Sequence, residues 1–275
     1  MKSRRIAGWI ALLLSALFLF AACDALDANK SDAQKQTPDP SPVPILATVV
    51  VDAGHGGIDG GAVGVKTGIV EAGLNLTVAQ LVKQKLEQCN IEVRMTRTDE
   101  NALGSNKKND MKARKEIICA PDVDLVVSIH MNKFRDRSVE GPMAFYMKGS
   151  EEGSVLAQFI INSVCDAVGH TRRLANPGDY YVIRVGAVPS VIIECGFLSN
   201  ATDEKLLAQP EHQEKLADGI VAGVLEYLNQ PKPEGTPQAD NPSQTENPPQ
   251  VETQPDAENK SKAENKSKAE NEGAA

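Results

Sequence analysis

ILATVVVDAGHGG, at residues 45–57, joins a β-branched run to a glycine-rich break that carries a histidine. The run reads as a buried strand, and the break sets His55 just beyond its end. The arrangement recurs twice downstream. DLVVSI at 124–129 leads straight into His130, and SVII at 190–193 leads into Glu194. Between these runs the apolar spacing becomes helical. Leu76, Ala79, Val82 and Leu86 share one face of residues 72–89, and Leu216, Ile220, Val224 and Leu228 share one face of residues 211–229. Further helices are expected at 112–120 and 153–168, a strand at 91–96 and an outer strand at 141–147. Strands alternating with helices predict an α/β fold: a single three-layer sandwich, with a mostly parallel twisted sheet and helices on both faces. In such sheets ligands gather beyond the carboxyl ends of the strands, where His55, His130 and Glu194 are expected.

Composition narrows the classes. The chain has 275 residues with 29 basic and 37 acidic side chains, a net charge of −8, and no basic run. Nucleic-acid binding draws its affinity from neutralised phosphates, so nucleic acid is not an expected partner. A hydrophobic content of 41% excludes a polytopic membrane protein. Residues 45–230 suit one domain with a good core, and a monomer is expected.

Both ends differ in composition from that middle. Lys2, Arg4 and Arg5 precede an apolar stretch over 6–22 broken only by Gly8 and Ser15, so residues 1–22 read as an export signal. The stretch is close to the lower length limit for a spanning helix, which keeps an uncleaved N-terminal anchor open. Phe20-Ala21-Ala22-Cys23 resembles a bacterial lipoprotein processing site, with Phe20 where Leu is usual and Cys23 as the residue to be lipidated. Residues 23–44 are polar and punctuated by proline, a tether. Residues 231–275 form a low-complexity tail with AENKSK at 257–262 and again at 263–268. Neither segment has enough apolar surface to offset the entropy of ordering. The expected location is the outer face of the cytoplasmic membrane or the cell wall. Cys23, Cys89, Cys119, Cys165 and Cys195 show no C-x-x-C spacing, so free, mostly buried thiols are expected.

A single histidine after a strand is more often a satisfied loop residue than a ligand. Three reactive side chains at three strand ends in one short domain weigh the other way. Glu194 follows three apolar residues, Val191, Ile192 and Ile193, where a carboxylate is costly without a partner. Glu71 stands at the start of the 72–89 helix; the bland reading is a carboxylate favoured by the helix dipole. Two imidazoles and one carboxylate make a common catalytic zinc set with a position left for water. A second carboxylate, outside the ligand set, is then needed to carry a proton to the leaving group. His55, Glu71, His130 and Glu194 meet that inventory. His170 and His212 read as surface residues. The DAGHGGIDGG loop lacks the spacing and lysine of a phosphate-binding loop, so its glycines read as room for turns.

DAGHGG with Glu71 sixteen residues after His55, SIHMN at 128–132 and IIECGFLSN at 192–200 together resemble the zinc-dependent N-acetylmuramoyl-L-alanine amidases of the amidase-3 family. The resemblance covers roughly 47–228 and is greatest to the compact branch that includes sporulation and germination amidases. It implies one zinc ion per chain held by His55, Glu71 and His130, with Glu194 as catalytic acid and base. It also implies cleavage of the amide between the lactyl group of N-acetylmuramic acid and L-alanine in peptidoglycan, for wall remodelling or spore cortex modification. Ala72-Gly73 stand where many relatives carry a charged pair, and Cys195 where Val is common. No long autoinhibitory insertion separates His130 from Glu194. Peptidoglycan is the expected partner; an activator protein, and a membrane contact through a lipid or N-terminal anchor, stay open. Because stem peptides are anionic, Lys133, Arg135, Arg137 and Arg184 are candidate substrate contacts, and Asn132 a candidate orienting group. A zinc carboxypeptidase would share the sheet and the His/Glu/His set, but not IIECGFLSN. A lipid-anchored metal- or solute-binding protein would explain Cys23 and the histidines but has no use for Glu194.

Overall fold

The structure is a computed structural model that describes residues 45–231. The signal segment, Cys23 with its tether, and the tail from 232 onward lie outside the described residues. The first strand, β1 (Thr48–Ala53), is buried along its whole length. It leads through the glycine-rich loop to α1 (Glu71–Glu87), β2 (Glu92–Met95), α2 (Lys107–Ile118) and β3 (Leu125–Asn132). The second half runs β4 (Met143–Met147), α3 (Glu151–Val168), β5 (Asn176–Gly178), α4 (Tyr181–Arg184), β6 (Ser190–Phe197), α5 (Ala201–Leu207) and α6 (Pro210–Leu228).

Six strands form one mixed sheet in the order β2-β1-β3-β6-β4-β5. The β1–β2, β1–β3, β3–β6 and β4–β5 pairs are parallel, and β4 runs antiparallel to β6. Alternation along the strands divides the core in two. Val49, Val51, Leu125, Val127, Ile129, Val191 and Ile193 pack against α1, α3 and α6. Val50, Val126 and Ile192 face the other way, towards Ile118 of α2 and Val182 and Ile183 of α4. This is the three-layer α/β sandwich that the alternating periods predict.

Local chemistry sets the element ends. The Asn106 side chain accepts from the Asn109 N–H and starts α2, five residues earlier than the apolar spacing suggests. Ser150 caps α3, and Gly169 closes it in the left-handed region at φ 73°. Three expectations need correction. The 141–147 strand is not the outer one, because the short β5 pairs outside β4. His130 and Glu194 do not lie beyond their strands: β3 continues to Asn132 and β6 to Phe197, since both remain paired past the apolar runs. Among the described residues the four thiols are free, but they are not mostly buried: Cys165 and Cys195 are, whereas Cys89 is half-buried and Cys119 exposed.

Candidate active site

The sheet face that carries Val50, Val126 and Ile192 turns polar two residues further along each strand. Asp52 of β1 stands in register with Ser128 of β3, and the Ser128 hydroxyl donates to Asp52 Oδ2 at 2.5 Å. Two residues on, His130 of β3 is in register with Glu194 of β6. Register partners in a parallel pair share a face, so the histidine and the glutamate lie side by side. Beyond them the ladder slips by one residue between the two strands. Gly196, at φ 157°, takes up the irregularity.

His55 enters from the end of β1, where the chain divides: α1 carries it to β2 along one face of the sheet, and α2 returns it to β3 along the other. Such a switch between neighbouring parallel strands opens a crevice at their carboxyl ends. Glu71, the first residue of α1, faces this crevice. With no side chain capping α1, loop carbonyls do the work: Ala62 accepts from the Glu71 N–H and Gly60 from the Ala72 N–H.

These placements bring ligand atoms of His55, Glu71 and His130 within 4.8 Å of one another. His130 Nδ1 is 3.0 Å and His55 Nε2 3.3 Å from Glu71 Oε1. The two imidazoles meet edge to face with centroids 5.0 Å apart. The Glu71 carboxylate is fixed from several sides. Its Oε2 accepts from the Ala62 N–H at 2.7 Å, and its Oε1 accepts from the Met131 N–H and from Asn75 Nδ2. Two glycines leave the space: a Cβ on Gly54 would overlap the His130 ring, and one on Gly61 would overlap the Glu71 carboxylate.

Electrostatics distinguish the two glutamates. Burial would raise Glu71, but hydrogen bonding and charge from His130 and His55 outweigh it and hold the carboxyl well below the usual range. Burial, reinforced by the Glu71 carboxylate and only partly opposed by His55, pushes Glu194 up to about 8. His55 is lifted to about 8, because the Glu71 and Asp59 carboxylates outweigh the opposing effect of burial. Two carboxyls in one site are thus driven apart in acidity, the pattern expected where one ligates and the other moves protons.

The support beneath the loop was not foreseen from sequence. Arg97 donates to the carbonyls of Ala53, Gly54 and Ala72. Arg114 of α2 donates to the carbonyls of Ala53 and His55 while pairing with Asp52 and Asp110. Asn75 Nδ2 reaches the Gly54 carbonyl as well as Glu71. Farther along the loop, Glu204 of α5 accepts from the Lys66 and Thr67 N–H groups and from the Thr67 hydroxyl. Most of these partners are backbone atoms remote in sequence, which no motif reports. Of the remaining candidates, Asn132 ends β3 with its Oδ1 accepting from the Lys133 N–H. Lys133, Arg135 and Arg137 are exposed on the following loop. Arg184, on α4, pairs with Asp179 at 2.5 Å. His170 and His212 are half-buried and stand outside the cluster.

Two imidazoles, a carboxylate and a neighbouring buried acid at a strand switch define an α/β domain equipped to hold one metal ion beside a proton carrier. Comparison with known proteins takes that class to a family. Residues 49–226 match the model of the N-acetylmuramoyl-L-alanine amidase family Amidase_3. The germination-specific N-acetylmuramoyl-L-alanine amidase of Bacillus subtilis is 30% identical over 240 residues, covering 82% of this chain and 97% of the relative. The CwlD amidase of Clostridioides difficile, solved in complex with the GerS lipoprotein, superposes with a TM-score of 0.64 at 34% identity, covering 66% of this chain and 98% of that one. The catalytic domain of CwlV, an amidase of Paenibacillus polymyxa, gives 0.59 at 33% identity, with 66% and 98% covered. The chain belongs to the Amidase_3 family, and its activity class is that of an N-acetylmuramoyl-L-alanine amidase.

Proposed function

We propose that the protein is a zinc-dependent amidase that cleaves between the lactyl group of N-acetylmuramic acid and L-alanine in peptidoglycan, with His55, Glu71 and His130 as the metal ligands and Glu194 as the acid and base. The observation that carries this reading is the convergence of those three ligand atoms within 4.8 Å. The donor set suits zinc, two neutral imidazoles and an ionised carboxylate leaving a position for substrate or water. His55 Nε2 is buried and, although 3.3 Å from Glu71 Oε1, makes no well-aligned hydrogen bond among the described residues, which fits an atom intended for a metal.

When bound there, zinc would polarise the scissile carbonyl, acidify a water and draw Glu194 towards its charged form. Glu194 takes the proton of the attacking water and passes it to the alanine nitrogen as the C–N bond breaks. Its burial excludes bulk water from that transfer, and its elevated pKa suits a group that must both accept and donate near neutral pH. Asn132, Arg135 and Arg184 are proposed to meet the anionic stem peptide.

The setting is proposed to be spore germination or other wall remodelling, as the name of the B. subtilis relative suggests. Export through residues 1–22, retention through Cys23, and 23–44 and 231–275 as spacers flanking the catalytic domain complete the proposal. Among the described residues no helix is long and apolar enough to cross a membrane. A partner protein belongs to the proposal too, given the lipoprotein bound to the C. difficile relative. His130→Ala, checked for folding by circular dichroism, is expected to lose both zinc and activity. Full zinc occupancy in that variant, by elemental analysis, would remove His130 from the ligand set.

A further inference from the structure

His55 occupies an unusual backbone position. Its φ of 60° is in the left-handed region, which costs a non-glycine residue of order 1 kcal/mol or more unless its surroundings impose it. The next four residues fold back on it. The Gly56 N–H donates to the Asp59 carbonyl at 2.8 Å and the Asp59 N–H to the Gly56 carbonyl at 3.2 Å, closing a tight turn with Ile58 exposed at its tip. The turn returns the Asp59 carboxylate to the histidine it left: Oδ1 lies 3.0 Å from His55 Nδ1. That oxygen also accepts from the Gly61 N–H at 3.2 Å, while Lys107 of α2 sits 3.5 Å from Oδ2. Asp59 is therefore held by its own backbone, by the loop beyond it and by a cation from another element. On its opposite edge the same ring turns Nε2 towards Glu71.

We propose that Asp59 is the positioning residue of the site, holding the His55 ring with its proton on Nδ1 so that the Nε2 lone pair is presented to the metal. The inference deepens the zinc reading above and rests on it. An ionised carboxylate accepts only, so it selects the Nδ1–H tautomer and leaves Nε2 as the free donor. Its charge also makes the imidazole a better ligand than a neutral partner would. Asp59 is partly exposed and touches neither Glu71 nor Glu194 through any hydrogen bond described above, so its effect travels through His55.

The test uses the full chain with Asp59→Ala and Asp59→Asn. Zinc dissociation constants are read by competition with a chromophoric chelator, and melting temperatures are taken on the metal-free proteins. Asp59→Ala is expected to bind zinc about 10- to 100-fold more weakly, with little change in metal-free melting. Asp59→Asn, whose carbonyl can still accept from Nδ1–H, should lose less. If Asp59→Ala fails to fold, Asp59→Leu, which keeps the bulk but has no acceptor, carries the comparison, and zinc affinity equal to wild type there overturns the proposal. Wild-type affinity in a folded Asp59→Ala overturns it outright. A second readout separates this inference from the zinc assignment. At alkaline pH, where the ring is neutral, imidazole ¹⁵N shifts of the metal-free protein should report His55 as the Nδ1–H tautomer, shifting towards Nε2–H in Asp59→Ala. Failure of the wild type to bind zinc would sink the metal reading, while the tautomer spectrum would still decide the role of Asp59.

Discussion

Glu194 is the residue on which the chemistry turns, and its neighbours explain why it can work. It stands in register with a proposed ligand, His130, yet belongs to a different strand, so it is aligned with the site without being part of the three-atom cluster. Glu194→Gln keeps the size of the side chain and removes the titrating group. It is expected to keep zinc at wild-type occupancy and to lose about 10²- to 10⁴-fold in kcat; a folded glutamine variant with near-normal turnover would end the assignment. Gly54 makes a complementary point about space. Gly54→Ala is expected to displace the His130 ring, lowering zinc affinity and costing about 1–3 kcal/mol of stability in denaturant unfolding. At this scale the sequence was informative where a side chain contradicts its surroundings. Glu194 after an apolar run, and histidines at the ends of others, are conspicuous because burying them is costly. Asp59, Asn75, Arg97 and Arg114 were not visible, because no period or motif singles them out and their partners are carbonyls or side chains brought close by the fold.

At the scale of elements, the decisive join is between α2 and the end of β1. Arg114 is almost fully buried and pairs with the equally buried Asp52, while its remaining N–H groups hold the loop carbonyls below His55. Removing one partner would leave a buried charge, so Arg114→Met is expected to destabilise the protein by about 3–5 kcal/mol in urea unfolding. The pair also sets an acid limit. Burial would raise Asp52, but Arg114, Ser128, His130 and Thr96 hold it at about 2 instead of 3.8. A pKa lowered by folding contributes stability that is present above the unfolded value and lost as pH falls through the folded one. The stability difference between wild type and Asp52→Asn should therefore narrow as pH drops from about 4 towards 2; a difference independent of pH across that window would show that Asp52 is not charged in the native state. Strands and long helices were legible because each repeats a period that burial imposes. The β5 strand, three residues with a proline, and the single turn of α4 are too short to show one, and the polar Lys107–Ile118 helix concealed its start behind charged residues.

For the whole molecule, one α/β domain presents its site at the carboxyl ends of β1, β3 and β6, held from one layer by α1 and from the other by α2. The family match over residues 49–226 spans every one of those elements, so the activity class and the scaffold coincide. Under the proposed organisation, the polar segments at 23–44 and 231–275 would set reach over a polymeric, insoluble substrate while specificity stays with the site. The bond that is cut and the metal that is needed can be tested together. The direct measurement is mass spectrometry of soluble products after the zinc-loaded protein is incubated with isolated peptidoglycan, with chelator-treated protein and Glu194→Gln alongside. Stem peptides with a free N-terminal L-alanine should be released by the wild type alone. Release that persists in chelator-treated protein, or cleavage at any other bond, would contradict the account.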